Sequence, residues 1–295
     1  HTIANTITLE PGAALTVDPG VTLTANETTL NSTWDLYSSL IVDGNIEGTI
    51  KYQRYVNANS GGNDLISPPL SGQTWADFLS SGTNVTDILN DGNNNPRIYL
   101  FGPFDKTADS YINYTDAVAT TLDSGTGYRA GTVTGTNLTF TGTVPSTEIT
   151  VDIRHTGATF PDWNLIGNPY PSYLDMNLFL NYVLDDNTNP VTTNLSILED
   201  ISGIYGYAGN AAANKWDVIT LANSVGKKMA PGQGFLVSAS DYSDANIDLL
   251  TDFDITFDTS MRITNGGDDF IVGRNSNVLT YLKLNANAAN KNYRT

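Results

Sequence analysis

The chain of 295 residues is 40% hydrophobic and only 15% charged, enough apolar material for two or three compact cores. Its 31 acidic against 14 basic residues give a net charge of −17, which repels nucleic-acid phosphates and anionic lipid, so nucleic acid is not an expected partner. The absence of cysteine excludes disulfides, thiol catalysis and thiolate metal sites, and no apolar run reaches the roughly 18 residues of a membrane span, so no direct membrane insertion is expected.

Polar positions are dominated by Thr, Asn, Ser, Asp and Gly, a mixture that favours strands and turns over long helices and predicts an all-β fold. Residues 1–56 alternate short apolar stretches (Ile7–Leu9, Leu15–Val17, Val21–Leu23, Leu40–Val42, Ile46–Ile50) with turn signals at Pro11-Gly12, Asp18-Pro19-Gly20 and Asp43-Gly44. That spacing predicts the rungs of a short β-solenoid, which cannot bury its apolar face alone and should lean on the unit C-terminal to it. The opening at His1 and the close at Thr295, soon after a predicted strand at Tyr281–Leu284, read as the ends of a fragment or processed product.

From residue 57 onward a set of features recurs in the same order. It predicts a duplication: one β-sandwich-like unit over 57–155, a second over 156–275, and the start of a truncated module over 276–295. Leu65-Ile66-Ser67-Pro68-Pro69 answers Leu165-Ile166-Gly167-Asn168-Pro169, and Phe78-Leu79 answers Phe179-Leu180. The loop Asp91–Pro96 answers Asp185–Pro190, Ile98-Tyr99 answers Ile204-Tyr205, and Tyr111 answers Trp216. Gly125-Thr126-Gly127-Tyr128 answers Gly232-Gln233-Gly234-Phe235, where glycines admit backbone angles closed to other residues and the aromatic plugs a core. Each unit also carries one short helical patch, at 75–79 and 174–180.

Three stretches, Leu65–Thr74, Trp163–Ser172 and Ala230–Val237, resemble a region common in large secreted surface proteins of Bacteroidetes, those exported by the type IX secretion system with a C-terminal sorting domain. Trp163-Asn164-Leu165-Ile166-Gly167-Asn168-Pro169-Tyr170-Pro171-Ser172 is the most specific of the three, and the resemblance covers most of residues 40–295. It implies an extracellular, cell-surface presentation module lying before the sorting signal. Its implied partners are other domains of the same larger protein and the type IX secretion machinery.

Candidate chemistry is sparse. Asp91, Asn93 and Asn95, and again Asp185, Asn187 and Asn189, place oxygen ligands at alternating positions, the opening of a Ca²⁺ loop, although both lack the glycine and distant Glu of an EF-hand. The competing reading is ordinary Asn/Asp turn chemistry before proline. No cofactor other than Ca²⁺ is indicated. Asp123-Ser124-Gly125-Thr126 resembles an aspartic-protease signature, but the second motif that chemistry requires is missing and Asp123 falls opposite Ala230 in the duplication. His1 and His155 are the only histidines, too few for a His-based zinc site, and His155 reads as a surface or turn residue.

Among the aromatics, Tyr111, Tyr114 and Tyr170 lie near turns and are the candidate contacts for surface glycans, whereas Trp163 beside Leu165-Ile166 reads as core. Asn26, Asn84, Asn113, Asn137 and Asn194 open Asn-x-Ser/Thr triplets of the kind composition alone produces. The residues therefore point to a non-catalytic structural and adhesive presentation module rather than an enzyme. The alternative is an ancillary glycan-binding module of a polysaccharide-degrading enzyme, which requires a face bearing two or more exposed aromatics.

Overall fold

The computed structural model describes residues 2–58, 63–106, 108–156, 158–185, 187, 191–199, 203–207, 216–240, 254–266, 285–288 and 291–294. Strands arranged in several small sheets dominate, with only short helices, and the chain is all-β. The predicted strand at Tyr281–Leu284 lies outside the described residues.

The first five strands are β1 (Thr2–Leu9), β2 (Ala14–Val17), β3 (Thr22–Leu30), β4 (Ser39–Val42) and β5 (Asn45–Val56). β3 pairs parallel with both β1 and β5, and β2 pairs parallel with β4, so the chain climbs as a two-faced coil. Leu9, Leu30 and Tyr52 fall in register on one face and are buried, and Val17 stacks on Val42 on the other. Apolar residues recurring at equivalent points of successive rungs make this core a ladder. Ala25 and Asn26 bulge opposite Gly48, whose φ of +110° and lack of a side chain let the strands close. A Cβ at Gly48 would lie 1.7 Å from the Ala25 carbonyl oxygen.

Next come β6 (Asp64–Ile66), α1 (Trp75–Ser80), α2 (Asn84–Asp87), β7 (Phe101–Asp105), β8 (Ser110–Tyr111), β9 (Tyr128–Ala130) and β10 (Thr136–Gly142). One layer is the sheet β6-β9-β7-β8; the facing layer is β5 paired antiparallel with β10. The boundary expected at residue 56 therefore runs along a shared strand, because one edge of β5 closes the solenoid and the other opens the first sandwich. Aromatic rings fill the space between layers, with Trp75 stacked on Phe101 at 4.9 Å and Phe78 against Phe140 at 4.7 Å.

The second unit comprises β11 (Ile149–Asp152), β12 (Trp163–Gly167), β13 (Tyr173–Asp175), α3 (Met176–Leu180), β14 (Val183–Asp185), β15 (Thr192–Thr193), β16 (Ile204–Tyr207), β17 (Trp216–Ile219), β18 (Lys228–Met229), β19 (Gly234–Ser238), β20 (Asp254–Phe257) and β21 (Arg262–Ile263). A hairpin of β22 (Asn285–Ala288) and β23 (Lys291–Arg294) lies beyond it. The sheet β12-β19-β16-β17 repeats the order β6-β9-β7-β8, and β11 with β20 repeats β5 with β10. Because β11 is the outer strand of this copy, the second unit starts before the expected boundary at 155.

Strand registers fix residue equivalences. Ile66 faces Tyr128 as Ile166 faces Phe235, and Phe104 faces Tyr111 as Tyr207 faces Trp216. Ile204-Tyr205 corresponds to Phe101-Gly102 rather than to Ile98-Tyr99, since Gly102 pairs with Arg129 where Tyr205 pairs with Leu236.

Each copy is pinned by a buried asparagine. The Asn84 amide donates to the carbonyls of Phe78 (2.7 Å) and Thr139 (2.9 Å) and its oxygen accepts the Thr139 N–H at 2.8 Å. Asn194 does the same to Phe179 (2.9 Å), Thr256 (2.8 Å) and the Thr256 N–H (3.0 Å). Both are fully buried, so these two Asn-x-Ser/Thr triplets are structural clamps between helix and outer strand. Asp91 follows Asn84 in sequence whereas Asp185 precedes Asn194, so the two Asn/Asp loops are not equivalent and their recurrence carries no joint meaning. Replacing either clamp (Asn84→Ala, Asn194→Ala) leaves buried backbone groups unpaired and should cost about 2–4 kcal/mol. Urea unfolding of the two variants should show similar losses.

Candidate functional site

Among the contacts between the two sandwiches, one is made twice. The Ser67 N–H donates to the Gly232 carbonyl at 2.9 Å, and the Gly167 N–H to the Gly125 carbonyl at 2.8 Å. Ile66 bridges to Gln233 and Thr126 to Ile166. Because residues 66–67 correspond to 166–167 and 125–126 to 232–233, the contact maps onto itself when the copies are exchanged, as across a two-fold axis. Glycine is required there. A Cβ at Gly127 would lie 2.6 Å from Leu165 Cγ and one at Gly234 2.7 Å from the Ile66 nitrogen.

This packing brings outer sheet faces together. Along β12, Ile166 points into the second core, so Trp163 and Leu165 point out; the cross-strand partners Leu236, Tyr205 and Val218 share that outer face with Trp216. Across from them stand Phe104 and Tyr111 of the first unit, and Phe160 of the connecting loop completes an open trough of about 440 Å³ lined by these residues together with Leu236 and Val218. Trp163 meets Tyr205 edge-on at 4.7 Å, Phe104 meets Tyr111 edge-on at 5.3 Å, and Arg129 lies over the Tyr111 ring at 4.4 Å. Phe160 and Trp216 remain 48% and 45% exposed, unusual for rings of this size.

The loop that carries Phe160 is held by the β7–β8 turn. Lys106 Nζ donates to the carbonyls of Phe160 (3.1 Å), Pro161 (2.7 Å) and Trp163 (2.8 Å). Asp109, in the left-handed region at φ +50°, accepts the N–H groups of Ala158 (2.5 Å) and Thr159 (2.6 Å). The Thr159 N–H is the main reason the Asp109 carboxyl titrates below its ordinary range, with partial burial opposing and the Ala158 N–H reinforcing. Burial lowers the Lys106 ammonium, against the pull of Asp109 and Asp162.

The sequence-based site residues separate. Tyr111 lines the trough. Tyr170 does not: it is fully buried and its hydroxyl lies within hydrogen-bonding distance of two carbonyls, those of Thr147 (2.8 Å) and Phe257 (2.7 Å), so no glycan can reach it. Tyr114 packs edge-on against Trp75 at 5.3 Å, half-buried against the first core and away from the trough lining. Trp163, expected in the core, is instead a trough wall, because alternation along β12 gives the core side to Ile166.

In the Asn/Asp loops the carboxylates serve their own turns. Asp91 Oδ1 accepts the N–H groups of Asn93 (3.1 Å) and Ile98 (3.2 Å), and its Oδ2 accepts the Asn93 amide at 2.7 Å. Asp185 Oδ1 accepts the N–H of Asn187 at 2.8 Å and its amide at 2.9 Å, the principal cause of a lowered carboxyl titration. These are Asx turns. Asn95 is exposed on the first loop, and Asn189 lies outside the described residues.

Sequence reasoning missed a different donor set. His155, Asp162 and Glu199 each offer one ligand atom, all within 4.8 Å of one another and half-buried. His155 Nδ1 stands 3.0 Å from Asp162 Oδ1, within ion-pair range but not in hydrogen-bond geometry. One imidazole and two carboxylates suit a divalent transition metal better than Ca²⁺. No spacing signal announced it, since Glu199 reaches the group through the pairing of Leu198 with Ala239. The protease-like Asp123–Thr126 is a turn, with the Thr126 N–H on the Asp123 carbonyl just as Gln233 bonds Ala230 in the second copy.

A family model matches residues 1–289, through the solenoid and both sandwiches. The chain belongs to the family described as Domain of unknown function (DUF8693). No curated protein and no solved structure matches this DUF8693 chain.

The Asp109 clamp gives a pH signature. Its carboxyl is depressed in the folded state, so the stabilisation is present above the unfolded value of about 3.9 and is lost as pH falls through the lower folded value. Asp109→Asn should lower the melting temperature at pH 7, and the difference from the parent should shrink as pH is taken below the unfolded value of about 3.9 in a series of thermal melts.

Proposed function

We propose that this DUF8693 chain is a non-catalytic module of an extracellular, cell-surface protein, structural and adhesive in role, that presents neighbouring domains of the same polypeptide. The observation that carries this reading is the interlocking of its three units. The two sandwiches share their reciprocal contact, and the solenoid is fastened to both. Its core runs unbroken into the first sandwich, through Leu30, Tyr52, Phe78 and Phe140. It reaches the second through the Leu40 N–H on the Pro171 carbonyl (2.7 Å), buried Arg54 on the Gly232 carbonyl (3.4 Å) and Arg262 on Asp43 at 2.5 Å. A presenting module needs such stiffness, because domains joined only by flexible linkers hold no fixed orientation.

Two further features support the reading. The resemblance of Leu65–Thr74, Trp163–Ser172 and Ala230–Val237 to type IX-exported surface proteins of Bacteroidetes agrees with an extracellular address, and the lack of cysteine leaves folding independent of redox compartment. Within the most specific motif, buried Asn168 donates to the carbonyls of Ser172 (2.8 Å) and Ala230 (2.9 Å), a structural reason for that residue pattern. A second reading, an ancillary glycan-binding module, is favoured by the aromatic trough.

Equilibrium urea unfolding followed separately by tryptophan emission and by far-ultraviolet circular dichroism should give one coincident transition. A separate early transition of the solenoid would overturn the rigid-presentation reading. On intact cells that produce the protein, external protease should remove it without lysis, and protection would overturn the surface assignment.

A further inference from the structure

We propose that the trough between the two sandwiches is a binding site for a neutral saccharide, with Trp163, Tyr205 and Trp216 of the second unit and Tyr111 of the first as its contact residues. The inference rests on the adhesive part of the function proposed above and gives that part a site and a ligand class.

The chemistry of the walls selects the ligand. An aliphatic guest needs only apolar lining, yet most of this wall is aromatic and its rings are amphipathic. The hydroxyls of Tyr111 and Tyr205 and the indole N–H groups of Trp163 and Trp216 have no hydrogen-bond partner among the described residues, in contrast to Trp75, whose indole N–H is bound to the Thr115 carbonyl at 2.8 Å. The trough thus offers flat aromatic faces, which match the C–H groups on the faces of a pyranose ring.

Size, place and charge agree with this choice. About 440 Å³ lies in the lower part of the range of small-molecule sites, roughly 300–1,000 Å³, and leaves room for one or two sugar rings. The site lies between two structural units, a preferred location for ligand sites, and the clamp of Lys106 and Asp109 fixes its loop wall beforehand, which lowers the ordering cost of binding. The net charge of −17 disfavours acidic polysaccharide at long range, while the cations at the wall, Arg129 over Tyr111 and Lys106 over Phe104, stack on rings of the lining. The duplication did not build the site symmetrically: Arg129 and Gly102 stand in the first copy where Leu236 and Tyr205 stand in the second, so only the second copy presents a continuous aromatic face.

The test is a titration of the full chain with four neutral hexaoses, of gluco, manno, xylo and galacto configuration, and with hexagalacturonate, read by calorimetry and tryptophan emission. At least one neutral hexaose should bind at millimolar or lower concentration, and hexagalacturonate should bind at least about ten-fold more weakly than it. Trp216→Ala and Trp163→Ala should each weaken neutral binding about ten-fold or more, with the urea midpoint of the exposed Trp216 variant unchanged. Binding that survives in the Trp163→Ala, Trp216→Ala double variant overturns the site while leaving adhesion standing. Silence of the parent chain toward all four neutral hexaoses, or binding of decanoate at the trough in their place, overturns the saccharide assignment; rigid presentation is judged independently by the unfolding transition.

Discussion

The close approach of each Gly-x-Gly turn to a strand end of the other sandwich is the constraint on which the remaining architecture depends. At Gly125 and Gly232 the backbone takes φ of +88° and +62°, and at each point the other sandwich's strand end arrives within hydrogen-bonding distance. A side chain at Gly232 would collide with the Ser67 carbonyl at 2.8 Å, so the contact exists only because both copies kept glycine. This contact sets the placement of outer face against outer face, the trough between them, and the landing point on Gly232 for Arg54 from the edge strand of the solenoid.

The interlock also explains where polar groups are spent. Each sandwich buries an asparagine between helix and outer strand, and the second adds Asn168 beneath the Trp163–Ser172 motif; all are satisfied by backbone partners. Satisfied buried amides specify one packing because any slippage would strand several donors and acceptors at once. The exposed aromatic rings around the trough have no such structural duty. Their outer-face position, opposite the cores that Ile166 and Phe235 fill, separates binding surface from fold.

Much of this was legible in the sequence. Alternating apolar residues broken by Gly and Pro marked the solenoid, since parallel rungs demand apolar residues at repeated points, and the Gly-x-Gly-aromatic pairs marked the duplication, since their conformation leaves few substitutes. What escaped depended on three-dimensional register. Asn84 follows Phe78 by six residues but Asn194 follows Phe179 by fifteen, so a clamp that is identical in space is unequal in sequence. The unequal insertion also misaligned Ile98-Tyr99 with Ile204-Tyr205 and made two unrelated Asx turns resemble a repeated Ca²⁺ loop. Tyr170 and Trp163 exchanged roles for a similar reason: the turn that carries Tyr170 is roofed by Phe257 and Thr147, while Trp163 opens a strand on its outward phase.

Amide hydrogen exchange at Ser67 and Gly167 tests the central claim of a reciprocal interlock most directly. The two amides sit at corresponding positions and are bonded across the junction at 2.9 and 2.8 Å. Both should be protected to the same degree, exchange only through global unfolding, and accelerate in step as denaturant is raised. Rapid exchange of either amide in the folded chain, at rates typical of fraying loops, would contradict a locked pair of sandwiches.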